Sequence, residues 1–195
     1  MIYNMARGGA VEGFGSKVIP LPHRGAVMAC SGFSWVSIVI AGVIASSGSQ
    51  TFDDLVQSLS DTVRNAIARD KSSSLTFGNF ELLIAGHSES RSGPEIHVLC
   101  GYRTGGNPPF HMVKLNKFTS PMIGFVNFDH DKPQTSGLSI LERQRLTLCG
   151  SHDAPSVALY CVGGAAQYAK VSRDGISIKV LKRWPDEVGK PIVTE

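Results

Sequence analysis

No stretch of this 195-residue chain is long and apolar enough to read as a membrane span: its most apolar run, residues 36–45, is about half the length a bilayer requires. The sequence does not open on a basic segment followed by an apolar stretch and a small-residue cleavage site. No signal peptide is therefore expected, and the protein is expected in the cytoplasm, with no membrane partner. Its four cysteines, Cys30, Cys100, Cys149 and Cys161, form no C-x-x-C pair, which argues against a zinc ribbon or a thioredoxin-like centre. Cys30 and Cys100 lie inside apolar runs, where a thiol behaves as a small hydrophobe, so reduced buried cysteines are expected. Charge is sparse too. Only 18% of residues are charged, and the net charge of +3 is spread along the chain. The densest basic stretch, residues 179–183, alternates with apolar residues as the wet face of a strand does. No basic run is interleaved with exposed aromatics, so nucleic acid is not an expected partner. Gly105-Gly106 and Gly163-Gly164 carry neither the P-loop lysine spacing nor the Rossmann pattern and read as turns. No cofactor and no metal are expected.

What is present is a globular composition, 42% hydrophobic, in a chain long enough to bury a core. One domain over residues 1–195 is expected, with irregular segments at 1–15 and 184–195. The glycine-rich start reads as a loop or a weak strand followed by a loop. Residues 17–21 and 25–30 read as strands around the turn Pro22-His23-Arg24. Pro20 lacks an amide donor, which places the first of these at a sheet edge or at a bulge. Ser34 reads as the cap of a helix to about Ser47 that is apolar on all sides, as suits burial between layers. β-branched density makes a strand the competing reading; length and the small residues Ala41 and Gly42 favour the helix. Thr51 caps a clearer helix with Phe52, Leu55, Val56, Leu59, Val63, Ala66 and Ile67 on one face. Strands are expected over residues 80–86, 95–102, 110–115 and 122–128. A helix is expected over residues 138–148, capped by Thr135 or Ser136, and a hairpin over residues 165–171 and 176–181 around Arg173-Asp174-Gly175.

Strands and helices come in blocks, so the expected class is α+β, not a parallel doubly wound sheet. The architecture that accommodates the order is a four-layer αββα sandwich: two antiparallel sheets flanked by helices.

The opening Lys17-Val18-Ile19, the strand at residues 25–32 ending in Ser31-Gly32, the helix pair, the run Leu82-Leu83-Ile84-Ala85-Gly86-His87 and the turn to Ile96-His97-Val98 resemble the proteasome-like N-terminal nucleophile hydrolases. These residues span about half of the chain. The resemblance implies amide- or peptide-bond hydrolysis by a mature first residue (Thr, Ser or Cys) whose own α-amine takes the proton. It implies that Lys17, buried beside that amine, lowers its pKa by like-charge repulsion. It implies that Ser31 or Gly32 contributes oxyanion-binding N–H groups and that Arg7 matches the family's arginine, with Met5 where a carboxylate is usual. This chain opens Met1-Ile2-Tyr3, so the nucleophile is expected to come from an upstream segment, or the chain to be inactive as written. The alternative is a noncatalytic assembly or binding protein, a homo-oligomer built on an apolar helical surface.

Other residues carry weaker readings. Cys30 is a rival nucleophile, but His23 stands at the far end of its strand, and a structural thiol is the better reading. Phe128-Asp129-His130-Asp131 reads as a loop with a solvated histidine, since adjacent residues on an extended segment point to opposite faces. His87 and His97 flank one hairpin, where pairing across it is one reading; with no third ligand, a satisfied strand histidine is the better reading than zinc.

Overall fold

The computed structural model describes residues 2–4, 9–32, 34–69, 80–120, 124, 127–151 and 154–194. Among them the elements run β1 (Ile2–Asn4), β2 (Ala10–Gly13), β3 (Val18–Leu21), β4 (Ala26–Ser31), α1 (Ser34–Ala45), α2 (Phe52–Arg69), β5 (Glu81–Ser88), β6 (Gly93–Cys100), β7 (Met112–Leu115), α3 (Pro133–Arg145), β8 (Leu148–Ser151), β9 (Ala154–Tyr160), β10 (Ala165–Ser172) and β11 (Gly175–Arg183). Contacts divide the chain into two compact units, Lys17–Lys117 with Ala169–Ser177, and Met1–Ser16 with Phe118–Tyr168 and Ile178–Glu195. The fold is α+β: among the described residues, a five-stranded antiparallel sheet, smaller two-stranded sheets and three α-helices.

In the first unit the sheet order is β3-β4-β5-β6-β7, each neighbour antiparallel. Pro20 lies on β3, an edge strand, where its missing N–H costs no ladder bond. The β3–β4 connection is one 3-10 turn at Pro22–Arg24, closed by Gly25 in the left-handed region at φ 53°. Alternating burial along β5 sends Leu82 and Ile84 toward the helices, where they join Met28, Ile40, Ile44, Leu55, Leu59 and Leu99 in one apolar cluster.

α2 forms as its pattern dictates. Phe52, Leu55, Leu59 and Val63 are buried at helical spacing, and the start is capped reciprocally: the Thr51 hydroxyl accepts the Asp54 N–H at 3.0 Å, while the Asp54 carboxylate accepts the Thr51 N–H at 3.1 Å. The β5–β6 turn supplies more. Glu89 accepts the Phe52 and Asp53 N–H groups at 3.1 and 3.2 Å, and Asp53 accepts the Ser90 N–H at 2.7 Å.

Beside this junction Glu95 is buried and receives Arg91 Nε at 2.5 Å, Lys114 Nζ at 2.6 Å and His97 Nε2 at 2.9 Å. The hydrogen bond from Arg91 is the largest influence; with Lys114 and His97 it outweighs burial and holds the carboxyl far below its ordinary 4.5. A folded-state pKa below the unfolded one stabilises above pH 4.5, and that contribution is lost as pH falls further. Arg91 and Lys114 are half exposed and stay hydrated when Glu95 is neutralised, so the low end of a charged hydrogen bond applies. Glu95→Gln is expected to cost about 1.5 kcal/mol in urea unfolding at pH 7, and less than that at pH 3. His87 and His97 do not pair: His87 stands opposite Pro94 and His97 opposite Ile84.

α1 departs from expectation. It is helical, but only one side is buried, through Val36, Ile40 and Ile44; Ile38 is 70% exposed, and Val39, Gly42 and Ala45 lie on the same open stripe. An all-apolar run carries no marker of which side a neighbour covers. Gly42 has open space where a side chain would stand, so close packing is not why glycine is there.

In the second unit β1 pairs with β2 and β8 with β9, both antiparallel. The start expected to be irregular thus contributes two short paired strands, Ile2–Asn4 and Ala10–Gly13. α3 begins at Pro133, five residues before the expected start, because proline suits the first helical turn, where its missing N–H has no partner to lose. Ser136 does not cap it; its hydroxyl accepts the Asp129 N–H at 3.1 Å. The helix ends at Arg145, and Leu148 opens β8. The expected strand at residues 122–128 lies largely outside the described residues, and Asn127 and Phe128 are not in a strand.

The tail after β11 is irregular but not loose surface. Val11 donates its N–H to the Lys190 carbonyl at 2.9 Å and accepts from Gly189 at 2.8 Å, and Ile192 is buried. Asp186 holds Arg145 by two bonds, 2.6 and 3.0 Å, with the side chains only 2% and 9% exposed. Arg145 also donates to the Val162 and Val193 carbonyls and lies over the Trp184 ring, while Asp186 accepts the Gly164 N–H at 2.6 Å.

Candidate functional site

The β3–β4 hairpin sets the candidate site. Val18 stands opposite Ala29, which brings Lys17, one residue before β3, beside Cys30. Ser31 ends β4 opposite Glu81, the first residue of β5, and Gly32 follows at φ 110°, in the region that favours glycine, just before α1 begins. Lys17, Ser31 and Gly32 thus gather at one end of the sheet, near the N-terminal end of α1, where the helix dipole favours negative charge. Arg7, the fourth expected residue, lies outside the described residues.

The Ser31 hydroxyl donates to Glu81 Oε2 at 3.2 Å, and the Tyr102 hydroxyl donates to Oε1 of the same carboxylate at 2.6 Å. Burial, then the Glu81 bond, raises the Tyr102 phenol above its usual range, so it stays a donor. Sequence reasoning missed Glu81 and Tyr102. The available signal was position: both are polar groups at strand ends, Glu81 opposite Cys100 and Tyr102 two residues further along the same chain.

Cys30 is half-buried, and its thiol donates to the Ser31 carbonyl at 3.2 Å. Burial pushes its pKa up to about 12, with Lys17 pulling the other way and Glu81 adding to the rise. A thiol neutral at physiological pH is a poor nucleophile, which supports the structural reading.

Lys17 itself is exposed. The resemblance implies a buried ammonium; the structure places this one in water. The cause is local: β3 is an edge strand, and residue 17 lies in a bend before its first ladder pair.

No set of three or more metal-ligating side chains occurs among the described residues. His130 sits in an exposed turn with its ring edge-on to Phe128 at 5.2 Å. An apolar hollow of about 240 Å³ in the second unit, lined by Gly9, Leu148, Leu159, Tyr160 and Ile192 among others, holds none of the candidate residues.

The chain bears a distant likeness to solved structures. Anbu (ancestral beta-subunit) from Yersinia bercovieri is similar over 53% of this chain, at 15% identity and a TM-score of 0.39. The match spans 45% of that chain, less than half its length. No protein-family model matches the sequence, and no curated protein matches it.

Proposed function

We propose that this chain is a proteasome-like N-terminal nucleophile hydrolase-fold protein whose chemistry, where a mature terminal Thr, Ser or Cys supplies the nucleophile, is amide- or peptide-bond hydrolysis at the Lys17 end of the sheet. The observation that carries this reading is the convergence there of Lys17, Ser31 and Gly32 with the start of α1. An amine-bearing terminus placed at that spot would feel the Lys17 charge, which favours its neutral, proton-accepting form. The N–H groups at the turn into α1 would meet the developing oxyanion. Ser31, ordered by Glu81, is a positioning residue and not the nucleophile.

The test is turnover of a panel of fluorogenic peptide amides. Lys17→Ala is expected to lower kcat/KM by roughly 100-fold, the low end of what a positioned acid–base group contributes, and Cys30→Ala to leave it within about twofold. Equal losses in both variants would contradict the assignment.

A second reading, a noncatalytic self-assembling protein, is favoured by the apolar stripe of α1 around Ile38 and Val39. A stable oligomer by light scattering, together with no turnover on any amide of the panel, would select it.

A further inference from the structure

β11 is the longest strand among the described residues, and its second half is largely open: Ile178 is 37% exposed and Val180 44%, with Lys179, Lys182 and Arg183 exposed as well, while Ile176 and Leu181 are half-buried. Its ladder partner is β10, and among the described residues no strand pairs with its other edge, the row of backbone donors and acceptors that a further strand would use. The charge is concentrated here. Residues 165–184 hold Lys170, Arg173, Lys179, Lys182 and Arg183 against one acid, Asp174, a net +4 in a chain whose total is +3.

We infer that the open edge of β11 over residues 178–183 binds an acidic, extended polypeptide segment by strand addition. Main-chain bonds along the edge would hold the segment. Alternate side chains give the selectivity: apolar residues on Ile178 and Val180, and carboxylates on Lys179 and Arg183, which share the opposite face.

The same charges decide against the obvious competitor. A second copy of β11 laid on this edge would set lysine and arginine against lysine and arginine, and like charges on paired strands are destabilising. Basic edge residues thus block self-pairing while admitting a strand of opposite sign. Lys182 is partly engaged, donating to Glu142 at 2.6 Å, so Lys179 and Arg183 are the cations that the segment would read. Lys179 lies over the Tyr168 ring of β10 at 5.6 Å, a weak contact for an exposed lysine, which it leaves to meet a segment on the other edge.

The probe is a labelled peptide of alternating glutamate and valine, titrated with the full chain and followed by fluorescence anisotropy. The expected result is saturable binding that weakens at least tenfold in Lys179→Glu/Arg183→Glu. Binding should vanish for the same peptide carrying N-methyl groups on alternate residues, which removes the edge hydrogen bonds and keeps the charge. A lysine–valine peptide should not bind. Equal affinity for the N-methylated peptide would show charge attraction alone and overturn strand addition. Absence of binding up to the solubility limit, or tighter binding of a DNA duplex than of the peptide, would overturn it too. The N-methyl and lysine–valine comparisons use the unaltered protein and stand even where the double variant fails to fold.

Discussion

Asp186→Ala is expected to lower the stability of the protein by about 3–5 kcal/mol, the loss that follows when one partner of a buried ion pair is removed. Arg145 is the reason. Its guanidinium is 9% exposed, and without Asp186 it keeps only the Val162 and Val193 carbonyls and the Trp184 ring, none of which carries a compensating charge. The Gly164 N–H loses its acceptor at the same stroke. The pH dependence has a definite sign. Burial acts to raise the Asp186 pKa, but the bonds from Arg145 and Gly164 and the Arg145 charge together outweigh it and hold the carboxyl below 3.8. Its contribution is therefore complete above that pH and is lost as pH falls below it. Asp186→Asn, which keeps the shape, is expected to cost less than Asp186→Ala. Arg145→Met/Asp186→Leu, which removes both charges, is expected to cost less than Asp186→Ala alone, because no buried charge is left unmatched. Urea unfolding of the four proteins at pH 7 checks the order. Gly163 belongs to the same unit of packing: an added Cβ would overlap Asp186 and Arg145, so Gly163→Ala should act in the same direction.

Phe52→Ala is expected to cost about 3–5 kcal/mol, the usual loss for a fully buried aromatic. Phe52 opens α2, has no exposed surface, and lies 5.9 Å from the His97 ring, directly over Gly86 of β5. A Cβ on Gly86 would collide with the Phe52 ring, which is held by the core and has little room to yield. Gly86→Ala should therefore cost about 1–3 kcal/mol by overpacking. The two sites are coupled. Gly86→Ala in a Phe52→Leu background is expected to cost clearly less than in the wild type, since the smaller side chain vacates the space that the new methyl needs. A double-mutant cycle by chemical unfolding measures that difference; additive losses would mean that the close approach of ring and strand is not what requires glycine at position 86.

Elements whose signal is local were legible. The strand expected over residues 80–86, the Thr51 cap of α2 and the Pro22–Arg24 turn are each marked by their own residues, so they read correctly before any packing is known. What escaped depends on residues distant in the chain. Arg145 stood in an apolar helical register with Leu138 and Leu141, which was the only sign of burial, and its partner lies 41 residues away. Pro133 opens a helix that a reading of proline as a breaker starts too late. Leu148 fits the helical period and yet pairs with Tyr160 in β8–β9, a hairpin the period concealed. At the candidate site, Lys17, Ser31 and Gly32 are named by the family resemblance; the β3–β4 hairpin, which the sequence does mark, brings them to one end of the sheet. The openness of Lys17 did not, because burial of one edge residue depends on what lies across from it. Glu81 and Tyr102 stand at strand ends, the one signal the sequence offered; that they meet Ser31 depends on the β4–β5 and β5–β6 registers.

The assignment of Lys17 is tested most directly by the acid limb of the pH dependence of kcat/KM on a peptide amide. An α-amine that serves as base has an ordinary pKa of about 7.7–8.0, and a cation beside it moves that value down. The limb is expected below that range in the wild type and higher in Lys17→Met, with Cys30→Ala superimposable on the wild type. An acid limb unmoved by Lys17→Met would mean that this ammonium does not act on the proton acceptor, and the hydrolase assignment would fail with it.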